Sequence, residues 1–336
     1  MQRFVFIDGL RAIAALSVVL FHSAAGDHIP IISATLPGPL RTILEHSNAG
    51  VAIFFVLSGF VIAHTLHHVQ PSFGAVGRFM LKRSLRLDPP YWAIIALTVA
   101  IGLTRGTTYS MPQILAHLVY LQDLLGFQPV SPIFWTLCLE LQFYLVFALL
   151  LLARSQALFL LAFIASIPLS CVPIMTGLFT DLWYGFLLGA GAYMSWRAQD
   201  LRALAFFPYA LAFVLLGAVR RDLFMEACAV TALVVLYATM TAHIYDWLSA
   251  RIFQFLGAIS YSLYLVHNPA TGATFRAGYA LLGHSIWSEV ICWIGAIAAS
   301  IGFAWVTWFL IERPSIRLSQ MVSARRGISR IDVGRA

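Results

Sequence analysis

Residues 8–26 read DGLRAIAALSVVLFHSAAG, an apolar run that carries Asp8, Arg11 and His22. Its length suits a helix crossing a hydrocarbon core about 30 Å thick, which takes roughly 17–25 residues. Comparable runs recur at 49–66, 90–104, 133–153, 156–173, 179–196, 203–219, 223–244, 253–271 and 286–311. Only helices and closed barrels satisfy their backbone inside lipid. The sequence therefore predicts an all-α polytopic membrane protein with about ten transmembrane helices. Composition agrees: of 336 residues 60% are hydrophobic and 10% charged, against roughly 25% charged in soluble domains. The mean hydropathy is +0.85, so a water-soluble fold is nearly excluded.

An even number of spans puts both termini on one side, and short cytoplasmic loops accumulate Lys and Arg. With the termini inside, only Arg41, Arg105, Arg220, Arg221 and Arg276 fall in outer loops, and the other 16 of the 21 basic residues lie inside. Both termini are expected to be cytoplasmic. The same spread accounts for the net charge of +7 without a nucleic-acid partner. We expect one transmembrane domain over 1–311 and a basic cytoplasmic tail over 312–336. Segment 105–132, with Pro112, Gly126, Pro129 and Pro132, reads as an interfacial or re-entrant helix on the outer face. Ser23-Ala24-Ala25 resembles a signal-cleavage site, but Asp8, Arg11 and His22 are expensive in a mere targeting segment, so the first span is expected to be retained. Cys138, Cys171, Cys228 and Cys292 fall within predicted spans, far apart, and read as packing residues.

Ionisable groups inside spans are functional candidates by default. Arg11 and His22, eleven residues apart, return to nearly the same helix face, roughly 16 Å apart along the axis, and Asp8 joins the stripe one turn before Arg11. The plain alternative is a snorkelling arginine and an interface histidine. Glu140 lies about a turn and a half below the outer boundary set by Trp135-Thr136. His267 follows Ser260, Tyr261, Ser262 and Tyr264 in the ninth span. His22, Glu140 and His267 are therefore expected at one depth, where a carboxylate could orient an imidazole for acid–base work. Glu140 as a salt-bridge partner and His267 as an interhelical hydrogen bonder are the structural alternatives. Gly50, Ala52, Ser58 and Gly59 could serve close helix packing alone. Arg78, Lys82, Arg83 and Arg86 exceed what orientation needs and could hold a phosphorylated ligand or anionic lipid. His64, His67 and His68 sit near this junction, but no metal site is expected.

Five blocks in order resemble the membrane acyltransferase-3 family, whose members O-acetylate bacterial glycans such as lipopolysaccharide O-antigens, exopolysaccharides, peptidoglycan and Nod factors. Asp8-Gly9-Leu10-Arg11 with ten residues before His22 looks like its Arg/Lys-x10-His signature. Gly50 to Phe60 resembles its Phe-Phe-x-Leu-Ser-Gly-Phe block, and Arg83-Ser84-Leu85-Arg86-Leu87-Asp88-Pro89 its Arg-x-x-Arg-x-x-Pro block. Trp135-Thr136-Leu137 with Glu140 and Phe143-Tyr144 is similar to a fourth, and Tyr261 to His267 to a fifth. Each block alone is weak; together they cover almost the whole chain.

The resemblance implies transfer of an acyl group, usually acetyl from cytoplasmic acetyl-CoA, to a glycan hydroxyl at the outer half of a bacterial inner membrane. The family's catalytic pair maps onto Arg11 and His22. His22 is then the general base, Glu140 orients it, and Arg11 stabilises the thioester oxyanion or guides the donor. Arg83 and Arg86, with Lys82 and Ser58, are assigned to the acyl donor; Trp135, Tyr264, His267 and Asp8 to the acceptor. Some relatives append a periplasmic hydrolase-like domain, and none is expected here. The expected partners are acyl-CoA, a glycan or undecaprenyl-linked saccharide acceptor, membrane lipid and glycan-assembly machinery. A proton-coupled transporter or flippase is the rival from another class, disfavoured because no inverted repeat or pair of broken helices stands out.

Overall fold

A computed structural model describes residues 3–67, 69–172, 177–198 and 201–324. Fifteen α-helices run through these residues. In chain order they are α1 (Val5–Ala25), α2 (Pro30–Thr35), α3 (Gly38–Glu45), α4 (Ala49–His67), α5 (Phe73–Leu103), α6 (Met111–Leu118), α7 (Trp135–Ala153) and α8 (Gln156–Leu169). Then follow α9 (Trp183–Arg197), α10 (Phe206–Arg220), α11 (Leu223–Met240), α12 (Arg251–Ala258), α13 (Ser260–Leu282), α14 (Ile286–Thr307) and α15 (Arg313–Ala324). No strand occurs among the described residues. The protein is an all-α membrane protein, as the apolar runs predict.

Among the described residues six stretches are long and apolar enough to cross a membrane: Val5–Ala25, Ala49–His67, Trp135–Ala153, Ala203–Arg220, Leu223–Met240 and Ile286–Val322. The other four expected spans are helical too, but α8 and α9 are short, α5 carries a basic first half, and α13 is diluted by polar residues. Two boundaries differ from expectation. The ninth span is broken at Ile259, so α12 and α13 are separate helices and His267 falls in the first turns of α13. The polar stretch 67–88 is mostly helical: α5 starts at Phe73, its cap Ser72 accepting from the Ala75 amide at 3.2 Å. Arg83 and Arg86 are thereby three residues apart on one helix and share a face.

Within 105–132 the expected short helix is α6, closed by a capping box between Ser110 and Gln113. Of the expected tail, residues 313–324 form α15, packed against α5. Arg325, Arg326, Arg330 and Arg335 lie outside the described residues, as does His68. Cys171 corrects the cysteine expectation. It is exposed, because α8 ends at Leu169, whereas Cys138, Cys228 and Cys292 are buried.

Glycines let the central helices approach closely. A Cβ on Gly59 of α4 would meet the Phe186 carbonyl of α9, and one on Gly189 would meet the Val56 carbonyl of α4. The two backbones thus touch reciprocally, and the contact seats α4 so that Ser58, one residue before Gly59, faces an internal cavity. Gly257 of α12 likewise sits against the Asp8 carbonyl of α1, which fixes where α13 begins beside Arg11.

Candidate active site

Arg11, Arg83 and Arg86 converge from α1 and α5 on one cavity of about 110 Å³, partly open and also lined by Ser58, Glu140 and Tyr144. Arg11 Nε donates to Ser260 Oγ at 3.1 Å, using the first residue of α13. The Arg83 guanidinium lies 4.9 Å from the Tyr144 ring centroid and 5.5 Å from that of Phe79, cation–π contacts that hold it without consuming its donors. Arg86 Nε is buried with no hydrogen-bond partner among the described residues.

One carboxylate faces these cations and a second lies behind them. Glu140 Oε1 accepts from Ser58 Oγ at 2.7 Å and from Tyr144 OH through a short bond. Glu312, 1% exposed, accepts from the Ser262 amide at 3.2 Å and from Ser262 Oγ at 2.6 Å. It sits in a π-helical turn, Trp308–Glu312, and its charge acts on both Arg86 and Arg11. Such turns recur at functional sites. Glu312 escaped the sequence reading because Ile311-Glu312-Arg313 looks like the charged end of an apolar span.

The histidines form a separate cluster further along α1 and α13. The His22 and His267 ring centroids are 5.1 Å apart. His267 is fully buried; its Nδ1–H donates to the Tyr264 carbonyl at 2.7 Å. That bond fixes the tautomer and leaves Nε2 as a lone pair, buried without a partner. His22 is half-buried. Tyr264 connects the clusters: it lines the cavity, and its ring lies 5.9 Å from that of His267. Its hydroxyl donates to the Ile133 carbonyl at 2.8 Å and lies 2.5 Å from Thr136 Oγ1.

Glu140 does not join His22 as expected. Its carboxylate is taken by Ser58 and by Tyr144 one turn along α7, so the partner beside His22 is His267. Three other candidates lie outside the cavity wall. Asp8 pairs with Arg3 at 2.6 Å, Lys82 occupies another face of α5, and the Trp135 ring packs edge-on to Phe55 with centroids 6.3 Å apart.

An acyltransferase domain family matches residues 4–309, a stretch that holds Arg11, His22, Ser58, Arg83, Arg86, Glu140 and His267. The chain belongs to the acyltransferase-3 family. It is therefore a membrane acyltransferase. A protein named as a membrane-bound transacylase in Komagataeibacter xylinus is 29% identical over 354 residues, covering 92% of this chain and 82% of its own. Nodulation protein 10 of Rhizobium leguminosarum bv. viciae is 31% identical over 165 residues, 43% of each chain. The chain thus spans less than half of the nodulation protein's length. No solved structure matches this acyltransferase.

Proposed function

We propose that this acyltransferase moves an acetyl group from cytoplasmic acetyl-CoA to a hydroxyl of an exported or cell-surface glycan, in the bacterial inner membrane with both termini inside. The observation that carries the reading is the order of the two clusters: three guanidiniums lining a cavity, then Tyr264, then two adjacent imidazoles. The unpartnered Arg86 Nε and the free donors of Arg83 suit the phosphates of coenzyme A, since charge-assisted bonds from arginine are the strong ones. The cavity is lined from the arginines through to Tyr264, which gives the pantetheine arm a path along which to carry the thioester.

His22 is the general base in this reading. Its ring takes the proton of the attacking sugar hydroxyl while the oxygen bonds to the thioester carbon, the C–S bond breaks and coenzyme A leaves as the thiolate. A neutral imidazole suits that task. His267 positions it: the lone pair on Nε2 can accept the N–H of His22 and so select the His22 tautomer whose other nitrogen is basic. Arg11, fixed by Ser260, supplies positive charge to the thioester oxygen as it becomes an oxyanion. Glu140, held by Ser58 and Tyr144, keeps the cavity from being purely cationic and orients Ser58.

Purified protein given acetyl-CoA with a labelled acetyl group tests the reading. Label should appear on an added saccharide or, without one, be released by slow hydrolysis. Binding of acetyl-CoA with neither outcome would contradict it.

A further inference from the structure

Away from the arginines, α8, α9 and α10 surround a second cavity of about 720 Å³, which no part of the reaction above uses. One wall is a single face of α8: Phe159, Leu160, Phe163, Ile164 and Ile167, at the spacing of an apolar stripe. Such a stripe ordinarily packs on another helix. Here it faces Met194 of α9 and Phe206 of α10 across open space. Gly189 turns one side of α9 to α4, and Gly191, two residues on and so on the opposite side, lines the cavity. A Cβ on Gly191 would lie 3.0 Å from the Phe206 ring and 3.1 Å from the Phe163 ring, so the glycine keeps the floor of the groove low.

The two ends of the groove differ. At one, α8 and α10 close it: Ser166 Oγ lies 2.8 Å from Tyr209 OH, and the Phe163 and Tyr209 rings meet with centroids 5.1 Å apart. At the other, Gln156 begins α8 and Arg197 ends α9, and both line the cavity. The Arg197 guanidinium lies 5.9 Å from the Trp196 ring centroid and makes no side-chain hydrogen bond or ion pair among the described residues. From Gln156 to Ile167 the helix rises about 16 Å, half of a hydrocarbon core about 30 Å thick. Leu160 and Ile164 are more than half exposed, so the groove opens on the surface that faces lipid. It is as deep as one leaflet, apolar along its length and cationic at one end.

We infer that this groove binds one anionic phospholipid of the cytoplasmic leaflet, with an acyl chain lying between α8 and the α9–α10 wall and the phosphate on Arg197. A partner helix crosses the whole core, whereas the groove stops at Ser166 and Tyr209, a depth that suits an acyl chain. An arginine at the membrane surface attracts anionic headgroups over neutral ones. The lipid supplies the packing that the α8 stripe lacks and holds it against α9, the helix whose other side seats α4 and Ser58. The lipid site stands apart from the reaction, and only the assignment of its charged end to the cytoplasmic side comes from the reading above.

The test is binding to the full-length protein in detergent by native mass spectrometry, with three probes: dioleoyl phosphatidylglycerol, dioleoyl phosphatidylcholine and sn-glycerol 3-phosphate. The wild type should hold one phosphatidylglycerol more tightly than phosphatidylcholine, and glycerol phosphate should not compete. Arg197→Gln should weaken phosphatidylglycerol about fivefold, the contribution of one cation near an anionic headgroup, and leave phosphatidylcholine unchanged. Ile164→Trp, which fills the groove, should weaken both lipids alike. Both positions are exposed, so the fold should hold. Arg251→Gln, the same charge lost at the start of α12, should change neither lipid. Phosphatidylglycerol should raise the melting temperature of the wild type and not that of Ile164→Trp. The site is refuted if the wild type does not prefer phosphatidylglycerol, if glycerol phosphate displaces it, or if either groove variant binds it like the wild type. It is equally refuted if Arg251→Gln weakens binding as much as Arg197→Gln, or if the protein forms a dimer that takes up no lipid.

Discussion

Replacing Glu312 with glutamine separates what holds the cationic cavity together from what it binds. The carboxylate accepts from the amide and hydroxyl of Ser262 at 3.2 and 2.6 Å and is 1% exposed. Behind those bonds its charge offsets Arg86 and Arg11. Glutamine keeps an oxygen for Ser262 and nearly the same volume, so the loss is the charge contribution, about 1.5–3 kcal/mol for bonds to a charged group. Glu312→Ala also strands the Ser262 donors and leaves two guanidiniums uncompensated, raising the cost to about 3–5 kcal/mol. At about 2 °C per kcal/mol, the low end for large domains, the melting temperature in detergent should fall by roughly 3–6 °C for Gln and 6–10 °C for Ala. Donor affinity should move the other way. With a negative charge removed from behind Arg86 and Arg11, acetyl-CoA should bind Glu312→Gln at least as tightly as the wild type in titration calorimetry. A Gln variant of wild-type stability that has lost acetyl-CoA would refute this division of labour.

Three further outcomes follow from the same geometry. Arg83→Ala or Arg86→Ala should weaken acetyl-CoA by about 1.5–3 kcal/mol in equilibrium binding with little change in saturating turnover; unchanged affinity would reduce these residues to orientation signals. Gly189→Ala should destabilise the protein by more than the roughly 1–3 kcal/mol of ordinary overpacking, because its Cβ meets the Val56 backbone rather than a side chain, and thermal unfolding would show it. Burial, then the charge of Arg276, hold His28 below its ordinary 6.5, with Asp27 opposing. The unfolded chain therefore takes the proton first, so the contribution is present above about pH 6.5 and lost as pH falls below it. His28→Gln should flatten the acid side of the melting-temperature profile, and an unchanged slope would show that His28 is not the titrating group.

Much of the site was legible because the chemistry of lipid makes polar residues conspicuous. Arg11, His22, Glu140 and His267 stood out as ionisable groups in apolar runs, and Arg83 and Arg86 as cations beyond the needs of orientation. Their partners were harder to read. The break at Ile259 within 253–271 went unread, since Gly257 alone is a weak signal. Matching depths put Glu140 and His267 together beside His22, with Glu140 as the group that orients it. Depth along separate helices does not say which faces meet. The close packing of α4 on α9 at Gly59 and Gly189 turns Ser58 toward the arginines, and no periodicity within one span reports that rotation. Glu312 lay at a span end, where a charge needs no special explanation.

The most direct test of the whole account is acyl transfer by His22→Gln. Glutamine keeps hydrogen bonding but cannot accept a proton at neutral pH, and loss of a general base typically costs about 10²–10⁴-fold. The purified variant should bind acetyl-CoA as the wild type does, melt within a degree or two of it, and transfer labelled acetyl slower by at least about 100-fold. Near-normal transfer by a folded His22→Gln protein would contradict the account and make His267, whose Nε2 is already a buried free lone pair, the base.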